Sequence, residues 1–137
     1  MIQGFEEQTK ELNEVERKAA VQIAELLSRA VGKWKVIKNA DIRRKIDGKL
    51  SSARIRKIIH TLRVTGLVPL LIADSNGYYI AETKAEVELY AESLRGRIES
   101  IKQILQAIVI QSEDFNFEKR KYEKVKPEPK IIQETLF

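Results

Sequence analysis

Over most of this chain the apolar residues recur at steps of three and four, and only one block breaks that rhythm. Residues 67–73 (Leu67, Val68, Pro69, Leu70, Leu71, Ile72, Ala73) and 78–81 (Tyr78, Tyr79, Ile80, Ala81) are two β-prone runs joined by Asp74-Ser75-Asn76-Gly77. Asn-Gly between such runs favours the tight turns whose twist matches paired strands, so the block predicts one hairpin in an otherwise helical chain. Tyr78 and Tyr79 would point to opposite faces of their strand, one into the core and one outward.

Helical signals surround the hairpin. Leu12, Val15, Ala19, Ile23, Leu26, Leu27 and Ala30 form one stripe, which predicts a first helix from about residue 8 to residue 31, closed by Gly32. Trp34, Val36 and Ile37 make a short β-prone segment. Asn39 is a good N-cap for a second helix through Ile46, with Ile42 and Ile46 inward and Asp47-Gly48 as a turn. Ser51 caps a third helix in which Ile55, Ile58, Ile59 and Leu62 form the apolar stripe, and Gly66 ends it. Thr83 and Glu86 make a capping box for a long fourth helix to about Ile110.

Charge is distributed unevenly along this frame. The net charge is +5. Residues 1–32 balance at −2, whereas Lys33 to Arg63 hold eleven bases against only Asp41 and Asp47, a balance of +9. Residues 64–110 return to −2, and the remainder balances at zero. A polyanion such as nucleic acid is the partner this stretch invites, because neutralised phosphates release counterions. A solvated helix surface is the plainer reading.

The absence of cysteine excludes disulfides, thiolate metal sites and cysteine nucleophiles, and fits a reducing compartment. No basic segment followed by an apolar run opens the chain and no stretch is apolar enough to span a bilayer, so a cytoplasmic location without membrane association is expected. There is no Gly-rich phosphate loop, His-Glu metal motif, Ser-His-Asp set or paired carboxylates, so no enzyme, cofactor or metal is expected. His60 is the one histidine and has no carboxylate or serine partner in sequence to make it a catalyst.

The order helix, short strand, helix, helix, hairpin, long helix resembles the winged helix-turn-helix family over roughly residues 8–81. The resemblance implies that the second and third helices lie against DNA, where bases dominate. On the third helix, Ala53, Arg56, Lys57, His60, Thr61 and Val64 lie opposite the apolar stripe and are the groove candidates, His60 and Thr61 among the expected DNA contacts. Arg56 and Lys57 are candidates for phosphate or guanine contacts. Ser51, Ser52 and Arg54 sit near the helix N-terminus, where backbone N–H groups favour a phosphate. Arg43, Arg44 and Lys45 in the second helix are candidates to cross the backbone. The hairpin tip carries an acid and no base, unlike the basic wing tips frequent in that family, and no site residue is assigned there.

The fourth helix places Val87, Leu94, Ile101 and Ile108 at steps of seven, with Ala91, Ile98 and Leu105 between them, a seam like that of a coiled coil. It either packs on the first helix or pairs with a second copy, which would set two basic helices on adjacent half-sites. After Ile110 the composition turns charged and Pro-interrupted, which predicts a flexible tether over 111–137. The chain then ends in Gln133-Glu134-Thr135-Leu136-Phe137, which is similar to the short peptides that dock bacterial and phage replication and repair proteins on the sliding clamp. That resemblance implies that Leu136 and Phe137 fill an apolar pocket and Gln133 contacts its rim. The other reading folds the terminal apolar residues back on the body.

The expected fold is therefore mainly α with a small β-hairpin: a winged-helix domain over 1–82, a long helix over 83–110 and a tail over 111–137. The leading functional expectation is a DNA-binding protein of bacterial or phage replication or repair that docks on the clamp. The alternatives are a transcriptional regulator dimerising through its fourth helix, and a protein–protein adaptor.

Overall fold

The computed structural model describes residues 4–46 and 49–123. Its helices are α1 (Phe5–Gln8), α2 (Glu14–Ser28), α3 (Asn39–Lys45), α4 (Ser52–Thr65), α5 (Lys84–Asp114) and α6 (Phe117–Glu123), with strands β1 (Leu71–Asp74) and β2 (Gly77–Ile80) between α4 and α5. The protein is thus mainly helical with a small two-stranded antiparallel sheet. It divides into two compact units, Met1–Leu94 and Arg95–Phe137.

The third predicted helix, α4, forms as its local signals dictate. The Ser51 hydroxyl accepts the Arg54 N–H at 3.2 Å, and Gly66 closes the helix in the left-handed conformation at φ 79°. Ile55, Ile58, Ile59 and Leu62 are all buried, and with Ile23, Leu27 and Ile42 they make the main core where α2, α3 and α4 meet. Deleting a side chain of this kind leaves a cavity as well as losing transfer free energy, which costs about 2–5 kcal/mol.

The first predicted helix begins at Glu14 rather than near residue 8, and a separate one-turn helix, α1, precedes it. Thr9, wholly buried, donates its hydroxyl to the Phe5 carbonyl at 2.6 Å and closes α1. Asn13 then opens α2 with a complete capping box: its side chain accepts the Glu16 N–H at 2.8 Å, and the Glu16 carboxylate accepts the Asn13 N–H at 3.0 Å. Short polar side chains that bond nearby backbone compete with helix continuation, and here they win over the apolar periodicity. Leu12 consequently reaches the core from the loop, while Val15, expected inward, is exposed. α2 also stops at Ser28, earlier than predicted.

Two more expectations change in detail. Asn39 is the first residue inside α3 rather than its cap, and its side-chain amide is buried with no hydrogen-bond partner among the described residues. The β-prone segment at 34–37 is largely a 3-10 turn, Lys33–Lys35. Only its flanks pair with β2: Val31 bridges Ile80, and Ile37 bridges Tyr78 through N–H···O bonds of 2.9 and 2.8 Å. The Asp47-Gly48 turn lies outside the described residues.

The hairpin forms around the predicted Asn76-Gly77 with Leu71 opposite Ile80 and Ile72 opposite Tyr79. Its first strand is shorter than predicted, because Leu70 takes a positive φ of 60° just before it. Strand alternation gives the sheet two buried faces. Leu71, Tyr78 and Ile80 join the main core, and Ile72, Tyr79 and Ala81 form a second cluster with Val87 and Tyr90 of α5. Tyr78 is thus half-buried rather than exposed, since the helices cover one face and α5 the other.

α5 begins with the predicted capping box, in which the Thr83 hydroxyl accepts the Glu86 N–H at 3.2 Å and Glu86 accepts the Thr83 N–H at 3.3 Å. It continues past Ile110 to Asp114, and α6 follows where a tether was expected to begin. Asn116 caps α6 through the Lys119 N–H at 3.0 Å, and the Phe115 and Phe117 rings meet at 4.9 Å, a local arrangement that charge composition alone does not show. Among the described residues, no helix is long and apolar enough to cross a membrane.

Gly77 is the tightest point of this architecture. Its φ is 131°, and a Cβ there would stand 2.4 Å from the Ile37 carbonyl oxygen. Gly77→Ala should therefore lower unfolding stability by about 2–4 kcal/mol, measured by chemical denaturation. An equal loss is not expected for Gly66→Ala, where no atom stands within 4 Å of the added Cβ and only the positive φ opposes it.

Candidate nucleic-acid interface

The face of α4 opposite its apolar stripe presents Ala53, Arg56, Lys57 and His60, all exposed, with Val64 beside them. Thr61 is half-buried and its hydroxyl is turned to the Lys57 carbonyl at 3.3 Å. On α3, Arg43, Arg44 and Lys45 are exposed, since the single buried residue of that helix is Ile42. Ala40, Arg43, Arg44, Lys49, Leu50 and Ser51 line an open concavity between α3 and the start of α4. Ser51 is exposed there but its hydroxyl is committed to capping, and Ser52 is half-buried.

Several of the expected contacts are engaged within the chain. Arg44 pairs with Asp41 one turn earlier. Arg54 and Lys57 both reach Glu16 of α2: Arg54 Nε lies 3.2 Å from one carboxylate oxygen and Lys57 Nζ 3.1 Å from the other. Glu16 is 2% exposed, whereas its two partners are half-exposed. Burial by itself would raise the Glu16 carboxyl, but the Asn13 N–H and the Lys57 and Arg54 cations outweigh it and hold the group below its ordinary value. Arg63, part of the basic stretch, donates to the Tyr90 hydroxyl at 2.5 Å, with its guanidinium 5.8 Å from that ring.

Glu16 is the residue that sequence reasoning missed. Its partners are 38 and 41 positions away, so no local pattern announces them. Seven bases of the Lys33–Arg63 stretch remain without a hydrogen-bond or ion-pair partner among the described residues: Lys33, Lys35, Lys38, Arg43, Lys45, Lys49 and Arg56. Such a surface can hold polyanion phosphates by Coulomb attraction without ordering any buried charge.

The expected seam on α5 is divided. Val87 packs in the second cluster under the hairpin, so it is a core residue rather than a free dimerisation residue, and Leu94 is half-buried. Ile98, Ile101, Leu105 and Ile108 are exposed, with Ile98 at 64%. Gln133, Leu136 and Phe137 lie outside the described residues. The hairpin tip is closed locally, with the Asp74 carboxylate accepting the Asn76 N–H at 2.8 Å. No known family model, curated protein or solved structure matches this chain.

The lowered Glu16 carboxyl has a definite pH consequence. A group whose value is depressed by folding contributes stability above its unfolded value, near 4.5, and that contribution is lost as pH falls through the folded value. The stability advantage of the wild type over Glu16→Gln should therefore be constant near neutrality and shrink on acidification below the ordinary carboxylate range. Denaturant unfolding of the two proteins across that range measures it, and a difference independent of pH would show that Glu16 acts by packing alone.

Proposed function

We propose that this protein binds duplex DNA through the outward faces of α3 and α4 in the manner of a winged helix, and that its C-terminal Gln133, Leu136 and Phe137 dock it on a sliding clamp during replication or repair. The observation that carries the DNA reading is the set of bases without a partner among the described residues, Arg43, Lys45, Lys49 and Arg56, on two adjacent helices and the segment joining them. Helix, helix and antiparallel hairpin follow one another as that reading requires. The hairpin itself contributes packing rather than phosphate contacts, since both of its faces are covered and its tip has no base.

Arg56 and His60 are the α4 side chains best placed for a groove, and Arg43 and Lys45 for the backbone beside it. The tail supports the clamp reading by its residue types alone. A tethered second contact would raise the effective concentration of the DNA-binding unit at a loaded clamp.

A second reading, a dimeric transcriptional regulator, is favoured by one observation. The exposed Ile98, Ile101, Leu105 and Ile108 recur at three, four and three residues along α5, the spacing of a helix pair seam. The two readings differ in what the tail does.

Two measurements test this. Duplex affinity should fall steeply and log-linearly with salt, and Arg56→Ala should reduce that slope by about one unit with little change in fold. A salt-indifferent affinity would favour the adaptor reading instead. A peptide spanning Lys126 to Phe137 should bind a bacterial sliding clamp, with binding abolished by Leu136→Ala/Phe137→Ala. Clamp binding absent from both peptide and whole protein would make the regulator the leading reading.

A further inference from the structure

The only tryptophan in the sequence is also among the most exposed residues described: Trp34 is 95% exposed. Indole burial is among the largest hydrophobic gains available to a side chain, so a fold that leaves it outside forgoes that gain. Nor is Trp34 on a loose loop. The turn that carries it is pinned at its start by the Gly32 N–H on the Ile80 carbonyl at 2.9 Å, and at its end by the paired Ile37–Tyr78 bonds. Inside the turn, Lys35 N–H reaches the Gly32 carbonyl at 3.0 Å and Val36 N–H the Lys33 carbonyl at 3.3 Å. Gly77 admits the Ile37 carbonyl at a distance no side chain would allow. The indole is therefore presented outward from a fixed base.

Its surroundings select the partner. Lys33 and Lys35 flank it and Lys38 follows, all exposed and unpaired among the described residues, while Val36 and Ile37 are half-buried. The Glu82 carboxylate stands against Gly32 at the turn's start, which leaves the turn net positive. One indole between lysines offers too little contiguous apolar area to insert into a bilayer. It does offer a flat π-face with a cation on the residue at either side, the combination that holds unpaired bases. A base inside a duplex has no free face to give, so the matching ligand is single-stranded.

We propose that Trp34 is a stacking platform for an unpaired nucleobase of single-stranded DNA, with Lys33, Lys35 and Lys38 on the flanking phosphates, so that the protein prefers junctions between duplex and single strand. This rests on the DNA-binding reading above for the duplex part, and on Trp34 alone for the preference.

The 137-residue chain reports on itself, because all its tryptophan emission comes from Trp34. It is titrated with a thymidine oligonucleotide of about ten residues, a blunt duplex, and the same duplex with that single-stranded tail, following both emission and the anisotropy of labelled DNA. Oligonucleotide and tailed duplex should quench the emission to saturation, and blunt duplex should bind with little quenching. Trp34→Ala should weaken tailed-duplex binding about tenfold and leave blunt-duplex binding unchanged, and Trp34→Phe should restore part of the loss. Exposure of the side chain makes unfolding of these variants an unneeded explanation, which a thermal melt checks. Equal binding of both duplexes by wild type and Trp34→Ala overturns the stacking role and leaves the DNA reading standing. Quenching by oligonucleotide without blunt-duplex binding overturns the duplex reading and leaves the stacking role. Quenching only by anionic phospholipid vesicles, or by nothing, overturns the proposal.

Discussion

The carboxylate of Glu16 is the interaction on which the helical body depends. Removing a charge from water costs several kcal/mol even after relaxation, and Glu16 offsets that with the Asn13 N–H and two cations reached across the core. The same residue starts α2 and fixes α2 against α4, so local capping and tertiary docking are satisfied by one side chain. Because Arg54 and Lys57 are half-exposed, solvent screens their share, and the larger cost of losing Glu16 lies in the cap and the packing. Glu16 offsets one of these two charges, so what looks in sequence like the most basic part of α4 is in space partly neutralised.

The hairpin holds the remaining parts together. A two-stranded sheet is marginal alone in water, and here it persists because both faces are covered. Leu71 and Ile80 face the three helices, Ile72 and Tyr79 face the start of α5, and Ile37 extends the pairing beyond β2. Burial, then the nearby Asp74 and Glu86 charges, push the Tyr79 phenol above its ordinary value. Arg63, lying on the Tyr90 ring, ties α4 to α5 as well. A hairpin so enclosed is scaffold: its exposed tip carries no base, and through Gly32 and Ile37 its second strand anchors the turn at Lys33–Lys35.

What was legible in the sequence follows from how local the causes are. α4 could be read almost residue by residue because Ser51, the isoleucine stripe and Gly66 each act within one or two turns. The Asn76-Gly77 hairpin and the Thr83–Glu86 box were legible for the same reason. The break at Thr9–Asn13 was not, because the apolar stripe ran through it and the polar competitors looked like ordinary helix surface. Trp34 stands in a β-prone pattern, yet its flanks alone pair, and a turn between two bridges turns the aromatic outward. The candidate site was legible as a charge map and illegible as a contact set, since the partners of Arg54, Lys57 and Arg63 come from other elements.

That partition of charge shapes the proposed complex. Of the seven bases in this stretch without a partner among the described residues, three lie at Lys33–Lys38, three on α3 or the segment after it, and only Arg56 on α4. Counterion release scales with the number of phosphates neutralised, so the electrostatic part of affinity would come mainly from the turn and α3. α4 would then meet the nucleic acid with Ala53, Arg56, His60 and Val64, together with Lys57, whose charge is shared with Glu16, so that Arg56 is its one cation without a partner among the described residues. Such a face holds little affinity by itself and depends on its neighbours to be positioned. In the proposed complex, the Glu16 pairings that secure the fold would thus displace binding strength from α4 toward the segment that carries Trp34.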